Sequence, residues 1–188
     1  GIVGTLDRLS VSAHIPKDVM GLRFAEALQK PIPPVVVKDG PCQEVIVTGE
    51  GIDLTRFPLP LQSKLDGGPY ISAGMTMVKH PEYGRNTGFY RLMYNDPTHL
   101  VIGLTGPSDL RLIYEQALAA KKPLPMAVAI GTHPTTMVAV SYKAPLGYDE
   151  MSIAGAMFGE PFELVRCKTI DAEAPARAEI VLECEILP

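Results

Sequence analysis

The sequence lacks any run of lysine or arginine, any long apolar stretch and any dense set of cysteines. Its 188 residues carry 17 Lys and Arg against 21 Asp and Glu, which gives a formal net charge of -4. This balance argues against a surface built for nucleic acid or for a membrane. No apolar run approaches the roughly 20 residues of a membrane-spanning helix, and the first residues lack the order of a signal peptide. We therefore expect a cytoplasmic protein with a small-molecule partner.

Several catalytic signatures are also missing. The three cysteines, Cys42, Cys167 and Cys184, are odd in number and widely spaced, which argues against a disulfide framework or a zinc site. No Gly-rich phosphate loop follows a strand pattern, so a Rossmann or P-loop nucleotide site is not indicated. No Gly-x-Ser-x-Gly elbow supports nucleophilic hydrolysis, and the four histidines are scattered without a second ligand at helical spacing.

What the sequence does contain is an alternation of short strand patterns with a few helices, in an ordinary globular composition of 46% hydrophobic residues. The predicted helices cover residues 17–29, 108–120 and 149–158, and the predicted strands cover 44–48, 71–78, 88–94, 126–131, 162–169 and 178–186. Residues 137–140 fit either a short helix or a strand, and 171–176 read as a turn-rich connector. The fold class is predicted as α+β, mainly β, with an antiparallel barrel or strongly bent sheet.

The prolines divide the chain. Pro31, Pro33 and Pro34 end the first helical pattern and begin an extended linker. We therefore expect residues 1–40 to form an N-terminal helix and linker, and residues 41–188 to form the main domain.

The most informative stretch runs from Asn86 to Arg91. Strand alternation places Asn86, Gly88 and Tyr90 on one face and the residues between them on the other. An Asn amide oxygen can ligate a hard cation, and an Arg can hold a carboxylate or phosphate through two parallel hydrogen bonds. The stretch indicates a binding site for an anionic ligand, and the alternative is the start of a hairpin with a surface Arg.

Acidic residues stand where two predicted helices begin. Asp109 follows Pro107-Ser108, and Glu150 follows Asp149. Acids in the first turn complement the helix dipole and cap free N–H groups, which explains most such residues. The functional alternative is an all-oxygen site for Mg²⁺ or Mn²⁺, formed by Asn86, Asp109 and Glu150.

Seven blocks in the order of the chain resemble the UbiD-like decarboxylases, a family whose cofactor is prenylated FMN. The blocks are Asp53–Pro58, Gly67–Ile71, Arg85–Arg91, Pro125–Gly131, Ala154–Pro161, Glu163–Cys167 and Pro175–Glu183. Each block is weak alone, whereas the seven in sequence are specific. The resemblance implies that this chain is the family's middle region, a split β-barrel of flavin-binding type.

The resemblance also implies roles for individual residues. Asn86 and Glu150 would ligate a divalent metal, Mn²⁺ or Mg²⁺, that bridges to the cofactor phosphate, with K⁺ as a further cation. Arg91 would be the catalytic residue that holds the substrate carboxylate or a neighbouring acid. The implied cofactor-binding residues are Asn86, Thr87, Gly88, Phe89, Tyr90, Arg91, Pro107, Ser108, Val140, Ser141 and Tyr142. Asp109 stands where some members place a histidine ligand, so it is either a third metal ligand or a helix cap.

The implied activity is the removal or addition of CO₂ on an aromatic or α,β-unsaturated carboxylic acid, with the flavin as electron sink. A flavin prenyltransferase would supply the cofactor, and a homo-oligomer or other domains of a larger protein would complete the assembly. The chain stops just before the region where the family supplies its acids, so we expect an excised domain or a reduced paralogue. Glu183 and Glu185 are expected on the solvated face of a last strand.

Three alternatives remain open. The chain could be a non-catalytic flavin- or metal-binding module that works only with flanking domains. It could be an interaction domain with exposed apolar surface that self-associates. It could also be an ordinary FMN reductase or oxidase, since split barrels host such activities, although no residue pattern favours this.

Overall fold

The computed structural model describes residues 3–188, and within them the chain forms five α-helices and ten β-strands in three sheets. The helices are α1 (Leu6–Ala13), α2 (Met20–Gln29), α3 (Asp109–Ala119), α4 (Pro134–Val140) and α5 (Glu150–Phe158). The strands are β1 (Val35–Val37), β2 (Tyr70–Ile71), β3 (Met75–His80), β4 (Gly84–Phe89), β5 (Leu92–Asp96), β6 (His99–Ile102), β7 (Leu124–Ile130), β8 (Glu163–Arg166), β9 (Glu173–Pro175) and β10 (Ile180–Ile186).

A four-stranded antiparallel sheet of order β10-β7-β3-β4 forms the centre of the molecule. Strands β7 and β10 pair along their full length, from Ile180 opposite Ile130 to Ile186 opposite Leu124. Two three-stranded sheets, of order β1-β8-β9 and β2-β5-β6, flank it, and β1 and β8 run parallel. The chain is thus a mixed α and β fold built around its sheets, and no closed barrel is present within residues 3–188.

The central sheet is buried on both faces because its strands alternate between two hydrophobic cores. Met77 and Ala127 belong to a larger core that includes residues of α1, α2, α4 and α5. Val78 and Val128 belong to a second core with Leu110 of α3. The continuous apolar run of β7 therefore has the burial on two faces that such runs predict.

The Pro-rich linker is held against α5 by a close backbone approach. The Ile32 N–H donates to the Ser152 carbonyl at 3.0 Å, and a Cβ on Gly155 would lie 2.6 Å from the Ile32 carbonyl oxygen. Only glycine at 155 permits this contact. The linker continues into β1, which pairs with β8.

The predicted helices 17–29, 108–120 and 149–158 correspond to α2, α3 and α5, and the ambiguous stretch 137–140 lies in helix α4. The predicted strand 44–48 is wrong. Its apolar side chains are exposed, Val45 at 78%, and 3-10 turns at Pro41–Gln43 and Gly49–Gly51 flank the segment. A segment with high strand propensity forms a strand only where it can pair with a neighbouring strand and bury one face. Among the described residues, no strand pairs with this segment.

Two predicted strands are each divided between sheets. Residues 71–78 are broken at Ser72–Gly74, so that β2 and β3 lie in different sheets. A Cβ on Gly74 would lie 2.7 Å from Val128 Cγ1, so the crossing needs glycine. Residues 88–94 are broken at Tyr90 and Arg91, between β4 and β5.

The sequence patterns did not predict two short elements. Helix α1 was not predicted, and β9 lies within the predicted connector 171–176. No helix within residues 3–188 is both long enough and apolar enough to cross a bilayer.

We expect Gly155→Ala to lower the free energy of unfolding by about 1–2 kcal/mol, because the added methyl group displaces Ile32 from α5. Gly21→Ala is the matched control, since a Cβ at this position in α2 meets nothing within 4 Å. The control should raise stability by roughly 0.5–1 kcal/mol through helix propensity. Urea unfolding of both variants measures the difference, and equal stabilisation by the two alanines would contradict the packing argument.

Candidate functional site

The candidate site lies along β4, the strand at one edge of the central sheet. Helices α3, α4 and α5 all contact this strand. Asn86, Thr87, Gly88 and Phe89 lie on β4, and Tyr90 and Arg91 follow it directly. The fold therefore brings the Asn86–Arg91 stretch close to helices that carry or adjoin the other predicted site residues.

Glu150 connects α5 to the edge of β4. Asp149 caps α5, because its Oδ1 accepts the Met151 N–H at 3.0 Å. Glu150 does not cap the helix, and its Oε2 accepts the backbone N–H of Thr87 at 3.0 Å. Capping thus explains Asp149, whereas Glu150 is buried, 4% exposed, against the strand that carries Asn86.

Burial raises the pKa of Glu150 from its usual 4.5 to about 7, because the charged form loses its hydration. The N–H groups of Glu150 itself and of Thr87 oppose this rise, while the charges of Asp149 and Asp109 add to it. Among residues 3–188, Glu150 has no ion-pair partner. A buried carboxylate near other acids and without a cation fits the donor chemistry of a hard divalent metal.

Asn86 lies beside Glu150's partner Thr87, and within the described residues its side chain forms no hydrogen bond. Its amide oxygen is therefore available as a second oxygen ligand. The same residues contain no group of three His, Cys, Asp or Glu side chains that could hold a metal ion. The candidate site would consist of one amide and two carboxylates, so only two of its side chains belong to those four residue types.

Tyr90 and Gly88 join the end of β4 to the start of α3. A Cβ on Gly88 would lie 2.5 Å from the Tyr90 ring, so the ring lies directly over this glycine. Burial raises the pKa of Tyr90, and contacts of its hydroxyl with Ser108 and the Leu110 N–H oppose this rise. Ser108 also caps α3 by accepting the Arg111 N–H at 3.2 Å, which leaves Asp109 in the first turn.

The remaining predicted residues are placed differently. Arg91 is exposed and forms no ion pair within residues 3–188. Phe89 packs against the larger core, and Pro107 is exposed ahead of α3. At the end of α4, beyond Val140, the Ser141 hydroxyl donates to the Met137 carbonyl and the Tyr142 ring packs edge-on against Phe24 at 5.5 Å.

Sequence reasoning missed an ion-pair network beside Glu150. Arg85 on β4 donates to Asp149 Oδ2 and to Glu173 Oε2, and Lys79 on β3 reaches Glu173 at 3.4 Å. Burial raises the pKa of Asp149 despite Arg85. Burial also acts on Glu173, but Arg85 and Lys79 together outweigh it and lower the pKa of that carboxyl. The position of Arg85 two residues before Thr87 was the only signal in the sequence, since strand alternation places both on one face.

Glu183 lies on β10, and the hydrogen bonds of its carboxylate are exposed, as expected for the solvated face of the last strand. Its carboxylate also accepts the N–H groups of Lys168 and Thr169 at 2.7 and 2.6 Å. Glu183 therefore holds a loop in place. Glu185 is exposed, as expected.

The burial of Glu150 predicts a pH dependence of stability. The native protein retains a proton on Glu150 up to about pH 7, whereas the unfolded chain releases it near pH 4.5. Stability should therefore fall as the pH rises between these values, by about 3 kcal/mol from this residue. Glu150→Gln should flatten this part of the profile, and Glu185→Gln should leave it unchanged. Urea unfolding at pH 5 and pH 8 tests this, and parallel profiles for wild type and Glu150→Gln would refute it.

Comparison with known proteins places the chain in a family. A family model described as 3-octaprenyl-4-hydroxybenzoate carboxy-lyase Rift-related domain, UbiD, matches residues 34–188. The chain is 38% identical over 174 residues to a pyrrole-2-carboxylic acid decarboxylase of Pseudomonas aeruginosa, covering 91% of this chain and 35% of the relative. It is 32% identical over 190 residues to an anhydromevalonate phosphate decarboxylase of Methanothermobacter thermautotrophicus, covering 100% of this chain and 43% of the relative.

Solved structures agree with the sequence relatives. An evolved dimeric form of the UbiD-class enzyme HmfF from Pelotomaculum thermopropionicum, in complex with prFMN, matches with a TM-score of 0.91 at 38% identity over 98% of this chain and 44% of that chain. The apo 3,4-dihydroxybenzoic acid decarboxylase AroY of Klebsiella pneumoniae matches with a TM-score of 0.92 at 31% identity over 100% of this chain and 41% of that chain. The chain thus spans less than half the length of these relatives. Because the family model matches well over half of the chain, the chain belongs to the UbiD family.

Proposed function

We propose that this chain is the cofactor-binding part of a decarboxylase that acts on an aromatic or α,β-unsaturated carboxylic acid with prenylated FMN and Mn²⁺ or Mg²⁺. The observation that carries the proposal is the buried carboxylate of Glu150, which has no ion-pair partner within residues 3–188 and accepts the backbone N–H of Thr87, the residue after Asn86. The proposal includes a fold of split-barrel, flavin-binding type, in which residues 1–40 form an N-terminal helix and linker and residues 41–188 form the main domain.

Asn86 and Glu150 would hold the divalent metal, and Asp109 would add a second carboxylate near Glu150. This donor set is all oxygen, which suits Mn²⁺ and Mg²⁺. The charges of Asp109 and Asp149 that disfavour ionised Glu150 would equally attract a cation. Gly88, Tyr90 and Ser108, which the fold brings together, would line the cofactor.

The bound flavin would supply an electron sink for the charge left when CO₂ departs. Arg91 is exposed and uncommitted within the described residues, so its guanidinium is available for a bidentate contact with the substrate carboxylate. HmfF of Pelotomaculum thermopropionicum has been solved with prFMN and with FMN, which supports a flavin at this site. Its evolved form is dimeric, which supports the proposal that this chain also assembles with further copies.

A second candidate is a flavin- and metal-binding module that has no activity without further residues. The chain covers 35–43% of the curated decarboxylases named above. Residues that complete the chemistry in those longer proteins need not have counterparts here. The cofactor site and the catalytic activity are therefore tested separately.

Co-expression with a flavin prenyltransferase, followed by purification with Mn²⁺, tests cofactor binding. We expect a flavin absorbance spectrum and a released compound with the mass of prenylated FMN. Asn86→Ala should lower flavin occupancy about tenfold or more, because it removes one of the oxygen ligands that would hold the metal beside the cofactor. Asn95→Ala is the matched control, since Asn95 is exposed on β5 and, within residues 3–188, its side chain hydrogen-bonds only to Asp96.

The outcomes separate the two candidates. Flavin that Asn86→Ala loses and Asn95→Ala keeps supports the cofactor site, and decarboxylation of a test panel of aromatic and unsaturated acids would then support the full proposal. Bound flavin with no turnover of any acid favours the module. A folded wild-type protein that binds neither flavin nor Mn²⁺ contradicts both.

A further inference from the structure

We infer that Arg85 is a positioning residue that fixes the start of α5, and with it the Glu150 carboxylate, against β4. This inference rests on the proposed function for the role of Glu150, although its structural part can be tested without metal or cofactor. Arg85 lies next to Asn86 on β4, but strand alternation points the two side chains to opposite faces. Arg85 therefore lies on the face of β4 opposite to Asn86, and it would support the candidate site without being a ligand.

Arg85 links three elements of the fold. One terminal nitrogen donates to Asp149, the cap of α5, and the other donates to Glu173 on β9. The Arg85 side chain is 15% exposed, and the side chains of Asp149 and Glu173 are 24% and 9% exposed. All three groups are thus largely buried, and a buried charge without a partner is strongly unfavourable.

Two hydrogen bonds connect β4 with the start of α5. Arg85 binds Asp149 through its side chain, and two residues along the strand the Thr87 N–H binds the Glu150 carboxylate. Asp149 and Glu150 are neighbours, so fixing the first restricts where the second can reach. Within the described residues, loss of the Arg85 contact would leave the Thr87–Glu150 hydrogen bond as the remaining hydrogen bond between β4 and the start of α5.

The surroundings supply no substitute for Arg85. Lys79 is 51% exposed and reaches only Glu173, so within the described residues Asp149 depends on Arg85 for its ion pair. The Arg85 Nε and the Thr87 hydroxyl are both buried without a partner on the same strand face. Lysine could not replace Arg85, because a single ammonium group lacks the planar fork that meets two carboxylates at once.

The first test is hydrogen exchange of the Thr87 amide, measured by NMR in metal-free protein. We expect Arg85→Met to lower the protection of Thr87 about tenfold relative to the amides of the β3–β4 ladder. Glu173→Gln is the matched control, because it removes the negative charge of Arg85's partner on β9 and keeps the ion pair with Asp149. It should leave Thr87 protection within about twofold of wild type. Unchanged protection in Arg85→Met would overturn the inference.

The second test is Mn²⁺ affinity, measured by calorimetry on the apoprotein. Arg85→Met should weaken binding about tenfold, and Glu173→Gln should not. The triple variant Arg85→Met, Asp149→Asn, Glu173→Gln removes the uncompensated charges and should recover thermal stability without recovering Mn²⁺ affinity. Recovery of both would show that Arg85 only neutralises charge and would overturn its positioning role.

The two tests also separate this inference from the proposed function. A wild-type protein that does not bind Mn²⁺, but whose Thr87 exchange responds to Arg85→Met, retains the positioning role and loses the metal site. A wild-type protein that binds Mn²⁺ with no response at Thr87 loses the positioning role alone. If Arg85→Met does not fold, Arg85→Lys replaces it, and its single ammonium should lower Thr87 protection by an intermediate factor.

Discussion

Thr87 is a buried residue on the edge strand β4, and a buried backbone donor must find an acceptor. Glu150 supplies it with a side chain from the first turn of α5. This hydrogen bond satisfies the Thr87 donor without another strand, and helices α3, α4 and α5 contact β4. Burial at this position raises the pKa of the Glu150 carboxyl, although the Thr87 N–H itself opposes the rise.

The candidate site lies where the two hydrophobic cores meet. Along β4, Phe89 packs with the larger core, whereas Tyr90, just beyond the strand, packs with the second core. Asn86 lies on the same strand, and the helices that carry Glu150 and Asp109 belong to different cores. Because each core fixes one side of β4, residues from distant parts of the chain can meet there with little freedom. Such fixed geometry is what metal and cofactor ligands need.

The success of sequence reasoning followed the range of the interactions involved. Helices α2, α3 and α5 were predicted because their apolar spacing is a local property. The strand at 44–48 was predicted from the same kind of pattern and is absent, because nothing pairs with it in the described structure. Strand β9 is present without a strong pattern, because β8 supplies its partner. Residue preference therefore indicated where strands were possible, and pairing decided which ones formed.

The sequence by itself determined helices α2, α3 and α5, the apolar run of β7 and, through its motif blocks, the family. It also identified Asn86 and Glu150 as candidates, because their residue types and motif positions are written in the chain. Only the tertiary structure decided that Glu150 reaches Thr87 and that Arg85 joins Asp149 to Glu173. Those contacts span 63 to 88 residues. They depend on which sheets and helices lie side by side, and no local period of the sequence encodes that arrangement.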